Sequence, residues 1–222
     1  MLAIFRRKLF KNWLMILGWG IGLAILGYYL FDIYETLFQE NVDIIQLLEA
    51  FPEGVMAFFG AEDINMFEPT GFLHLEFFSY MPIVLGIMVI TSATGLIIKK
   101  EEDGTLELII AQPISRSLLF LSRLLALIAS VILILAIIWG GFALGLSQTE
   151  TFELDQEQLV LPMISLFAVL LVFLSLVLFL SMVLPTSGAA GLVTGFLLIA
   201  SFFVTSLSQI DDALEPFNRF SP

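Results

Sequence analysis

Residues 99–116 read KKEEDGTLELIIAQPISR, the longest polar interruption that carries both signs of charge in a chain otherwise built of apolar stretches and acidic connections. Gly104 breaks whatever helix precedes it, and Thr105 can cap a new one, its hydroxyl accepting from an N–H of the first turn. Pro113 ends that helix, because its ring disfavours helical geometry at Gln112. Between these stops Leu106, Ile109 and Ile110 fall at i, i+3 and i+4, so a two-turn helix presents one compact apolar face with Glu107 turned away from it. So short a helix is not stable alone in water. It needs a surface to pack on: the membrane, the feet of the adjacent spans, or another protein. Ser115 can cap the span that follows, with Arg116 and Arg123 near its entry.

The surroundings of this stretch are those of a membrane protein. Of 222 residues, 59% are hydrophobic and the mean hydropathy is +1.01, whereas soluble domains are about 45–50% apolar. The sequence predicts an all-α, polytopic helical protein with spans over residues 13–31, 77–98, 121–146, 160–184 and 191–210. The absence of Cys excludes disulfides, thiolate metal sites and thiol catalysis.

Upstream, residues 1–12 carry Arg6, Arg7, Lys8 and Lys11, while Leu2, Phe5, Leu9 and Trp13 share a helical face. This predicts an amphipathic helix at the inner surface. The FRRKLF run is also similar to a twin-arginine export signal, but the apolar stretch after it is long and lacks a small-x-small cleavage site. Residues 32–76 form an acidic outer loop, with Asp32, Glu35, Glu40, Asp43, Glu49, Glu53, Glu62, Asp63 and Glu68 and no Lys or Arg. Apolar positions from Ile44 to Phe59 there predict amphipathic outer helices, either capping the bundle or gating it. His74, with no second His and no Cys near it, reads as interfacial rather than as a metal ligand.

Charge sets the orientation. Arg6, Arg7, Lys8, Lys11, Lys99, Lys100, Arg116 and Arg123 fall on one side and only Arg219 on the other, which makes the N-terminal side cytoplasmic. GxxxG spacings at Gly18/Gly22, Gly141/Gly145 and Gly191/Gly195 permit close helix contact, and glycine is also simply common in membrane helices. Ser79, Thr91, Ser92, Thr94, Ser175, Thr194 and Thr205 lie in spans, where hydroxyls mostly bond to their own helix.

The run GTLELIIAQPISR, Gly104 to Arg116, after the acids Glu101 to Asp103 and a hydrophobic span, closely resembles the cytoplasmic loop of type-2 ABC transporter permeases, the membrane subunits of ABC exporters. The resemblance implies a coupling helix over Leu106 to Gln112 that docks on a separate cytoplasmic ATPase subunit. It makes Leu106, Ile109 and Ile110 the docking face and Glu101, Glu102 and Glu107 polar contacts, framed by Gly104, Thr105, Pro113, Ser115 and Arg116. It also implies a second permease copy or paralogue, a plasma-membrane location, and a sixth span beyond the five visible ones, so that the sequence reads as C-terminally truncated.

Absent motifs narrow the chemistry. No GxxxxGK[ST] occurs, so no cofactor is expected here and ATP belongs to the partner; HExxH, GxSxG and any sign of nucleic-acid binding are missing too. The span centres carry no acid or base, against an ion-coupled carrier. The competing reading is a non-transporting membrane scaffold or assembly protein whose loop recruits a cytoplasmic partner.

Overall fold

A computed structural model describes residues 2–39, 68–96, 115–149 and 156–207. Among these residues all regular elements are helical. Helix α1 covers Leu2–Lys11 and α2 covers Trp13–Gln39; α3 is the short Pro69–Leu73, followed by a π-helix over His74–Phe78 and then α4 over Met81–Thr94. The remaining helices are α5 (Arg116–Leu146), α6 (Gln156–Val183) and α7 (Ser187–Leu207). Among the described residues five helical stretches are long and apolar enough to cross a membrane: Trp13–Thr36, Pro69–Thr94, Ser117–Leu146, Gln158–Val183 and Ser187–Leu207.

Element ends differ from the sequence reading in instructive ways. The first span, α2, runs on past Phe31 to Gln39, carrying Asp32 and Glu35 at its polar end, and Thr36 Oγ1 donates back to the Asp32 carbonyl at 2.9 Å. The second begins at Pro69 rather than Phe77. Glu68 supplies the extended N-cap backbone (φ −83, ψ 140) and proline fits the first turn, where its missing N–H costs nothing. The last begins at Ser187, because Thr186 Oγ1 accepts from the Ala189 N–H at 3.2 Å and caps it. The outer helices expected between Ile44 and Phe59 lie outside the described residues, as does everything after Leu207.

Packing divides the spans into two halves. In the first, α2 and α5 run in parallel, and α1 continues along the early turns of α5. Glycines set their distance: a Cβ on Gly141 would lie 2.7 Å from the Ala24 Cα, and one on Gly145 would lie 2.6 Å from the Phe31 ring. Gly20 meets Ile137 and Gly27 meets the Phe142 ring in the same seam. Thus the Gly141/Gly145 spacing is used for close approach. Gly18 and Gly22 have nothing within 4 Å, and Gly20, between them, is the residue that faces α5.

The second half is α4 with α6 and α7. Here Gly86 lies under the Leu198 side chain and Gly191 against Thr94, while Gly195 is open. Contact between the halves is thinner and runs mainly from α5 to α6 and α4. At the α3 end an aromatic cluster bridges them: Phe142, fully buried, has ring centroids at 5.9 Å from Phe31, 4.8 Å from Phe77 and 6.0 Å from Phe78. Tyr34 and Phe72 add an edge-to-face pair at 5.2 Å.

Candidate functional site

The loop singled out by sequence joins the two halves. It leaves the second half after α4, where Gly95 ends the helix and Leu96, buried, donates its N–H to the Ala93 carbonyl at 2.9 Å. It enters the first half at Ser115, whose extended backbone (φ −63, ψ 137) and carbonyl, accepting from the Leu119 N–H at 3.1 Å, start α5. The Ser115 side chain makes no capping hydrogen bond, so only its backbone fills the expected role. Arg116 is the first residue of α5. Glu101, Glu102, Gly104, Thr105, Leu106, Glu107, Ile109, Ile110 and Pro113 lie outside the described residues.

At the other end of α4 the second span is broken. In the π-helix the Ser79 N–H and the Ser79 hydroxyl both donate to the His74 carbonyl, at 2.9 and 2.8 Å. Pro82 has no N–H to give, and the helix restarts with the Ile83 and Val84 N–H groups sharing the Tyr80 carbonyl at 3.1 and 3.2 Å. Such π segments recur at functional sites. One sequence signal for this break was Pro82 inside an apolar run; the polar residues His74 and Glu76 instead suggested that the helix had not yet begun. His74 is exposed on this segment.

Polar groups within the spans are mostly turned inward to their own backbone. Ser79, Thr91, Thr94, Ser175 and Thr194 all donate to carbonyls three to five residues back. Ser92 is different, its hydroxyl lying 3.4 Å from the Met15 sulfur on α2, across the boundary between the halves. Among the described residues two buried polar atoms lack a partner, Trp139 Nε1 and Ser181 Oγ. A recess of about 90 Å³ opens between the acidic end of α2 and the end of α5, lined by Tyr28, Phe31, Asp32, Glu35, Gly145, Gln148 and Thr149. There the Tyr28 hydroxyl donates to Gln148 Oε1 at 3.0 Å.

The opposite end of the same half is basic. Lys8 is half-buried between α1 and α5, and burial, with the charges of Lys11 and Arg123 beside it, holds its ammonium below the usual lysine range. Asn12 Nδ2 donates to Ser130 Oγ at 3.1 Å and ties the α1–α2 junction to α5.

Five apolar spans, no strand among the described residues and a polar loop strung between two packed halves define an all-α, multi-pass membrane protein. The ABC-2 family transporter proteins match residues 5–215, and the chain belongs to that family. It is therefore a type-2 ABC transporter permease, a membrane transport component and not itself an enzyme. No curated protein and no solved structure matches it.

Proposed function

We propose that this permease is the membrane subunit of an ATP-driven exporter, energised by a separate cytoplasmic ATPase that docks on residues 101–116. The observation that carries the reading is the position of the loop. It begins on a helix of one half and ends on a helix of the other, so a force applied to it acts on the seam between them. Leu106, Ile109 and Ile110 are the docking face, Glu101, Glu102 and Glu107 the polar contacts, with Gly104, Thr105 and Pro113 delimiting the helix and Ser115 and Arg116 passing the load to α5. Closure of two ATPase subunits on ATP pulls the helix as a lever. The broken segment at His74–Pro82 supports this, since it gives the second span a place to bend while the aromatic cluster holds the far end. Two permease copies, identical or paralogous, complete the pathway in a plasma membrane with the N-terminus cytoplasmic.

The test is purification of the tagged protein from its native membrane beside a Leu106→Asp, Ile110→Asp variant. A P-loop ATPase recovered in near-equal amount with the wild type and lost with the variant is the expected result. Equal recovery with both, or no ATPase with a folded protein, moves the assignment to a scaffold that recruits another partner.

A further inference from the structure

The α1 end of the first half holds a group of cations that the fold has brought together with no carboxylate beside them among the described residues. On α1 the half-buried positions are Ile4, Phe5, Lys8 and Leu9, with Asn12 following at the junction, so Lys8 lies in the stripe that packs on α5 and not on the outward face. Asn12 bonds Ser130, 118 positions ahead, and Gly20 meets Ile137 in nearly the same parallel register. That register places Lys8 level with Ala126, and Arg123 stands less than one turn before it, toward the start of α5. Arg123 is half-buried as well, and Lys11 stands one turn from Lys8 on α1. Burying like charges together is costly unless something neutralises them. The acids among the described residues, Asp32, Glu35, Glu68, Glu76 and Glu157, all lie at the opposite end of the bundle.

The height of this group suggests the counter-ion. The apolar stretch of α2 from Trp13 to Phe31 rises roughly 28 Å, close to the ~30 Å hydrocarbon thickness of a bilayer, so Asn12 marks one hydrocarbon edge. Lys8 lies about 6 Å beyond that edge and Arg123 about 10 Å beyond the level of Ser130, which is the depth of lipid headgroups. Around it Leu2, Phe10, Trp13 and Leu14 are exposed, and the Arg6 guanidinium lies 5.6 Å over the Phe10 ring. Cations in the headgroup layer with exposed apolar side chains beside them suit a molecule that has a phosphate at one end and acyl chains at the other.

We propose that Lys8, Lys11 and Arg123 form a binding site for the phosphate of an anionic phospholipid in the leaflet at the α1 end of the bundle. The site pins α1 and the foot of α5 to that leaflet, next to the point where the coupling loop enters. It rests on the α1–α5 pairing and does not need the ATPase.

The experiment is native mass spectrometry of the full-length protein with phosphatidylglycerol or with phosphatidylcholine of the same acyl chains, for wild type and for a Lys8→Gln, Arg123→Gln variant. Each cation near an anionic surface strengthens binding about fivefold, so the variant is expected to lose its preference for phosphatidylglycerol by more than about tenfold. A Lys8→Arg, Arg123→Lys variant keeps the charges and retains the preference, which separates a lost site from a lost fold. Equal retention of both lipids by the wild type, or an unchanged preference in the glutamine variant, overturns the proposal. So does displacement of the lipid by millimolar inorganic phosphate, which would assign the site to a soluble anion. Converting Glu101, Glu102, Asp103 and Glu107 to their amides is expected to leave the preference in place. If the preference emerged only then, the loop's own acids would be the counter-ion instead.

Discussion

The two halves of the bundle are packed by different means. Between α2 and α5 the helices meet backbone to backbone, because Gly141 sits on the main chain of Ala24 and cannot accept even a methyl group without moving a helix. Between α4 and α7 the nearest atom to Gly86 is the end of the Leu198 side chain, which can turn aside. In lipid the apolar surroundings supply no hydrophobic drive for helix association, so close van der Waals fit decides how rigid a seam is. The first half is accordingly the stiffer body, and the second, with its broken segment at His74–Pro82, is the one able to adjust.

Substitutions sharpen that contrast, each read as unfolding free energy in detergent micelles by tryptophan fluorescence. The largest loss is expected for Phe142→Ala, which empties a fully buried site facing Phe31, Phe77 and Phe78 and costs about 3 kcal/mol or more. A cost below that of a surface change would show that the aromatic cluster does not bridge the halves. Next, Gly141→Ala forces α2 from α5 at about 2–3 kcal/mol, whereas Gly86→Ala, relieved by rotation of Leu198, costs about 1 kcal/mol or less. Equal costs would erase the difference between the seams. The smallest effect is Asn12→Ala, which removes one interhelical hydrogen bond to Ser130 and about 0.6 kcal/mol.

Much of this architecture was legible from composition alone, because a span needs only length and apolarity. All five spans and the all-α class follow from the hydropathy of runs such as Ser117–Leu146, and the loop GTLELIIAQPISR carried the family. Rotational phase was not legible. Gly18/Gly22 and Gly141/Gly145 have the same spacing, yet only the second pair faces a helix, since that depends on which neighbour arrives. The broken second span was hidden too, because His74 and Glu76 look like loop residues until a π-helix exposes them at the polar edge. Nor could the convergence of Lys8 and Arg123 be read, as it follows from the pairing of α1 with α5, helices far apart in sequence. On α1 the structure divides the expected apolar face: Phe5 and Leu9 are half-buried, Leu9 against the core, while Leu2 and Trp13 stay exposed.

The most direct test of the account is a pair of distance measurements by pulsed electron resonance on the permease reconstituted with the ATPase proposed to drive it, with and without nucleotide. Because the chain has no cysteine, two labels can be placed cleanly. Labels at Leu121→Cys and Val183→Cys report across the halves at the end where the loop inserts, and labels at Leu14→Cys and Leu144→Cys report within the first half. The account predicts that nucleotide shifts the first distance and leaves the second unchanged. A first distance that does not respond while transport proceeds, or a second that moves as much as the first, would contradict a lever working on the seam between two unequal bodies.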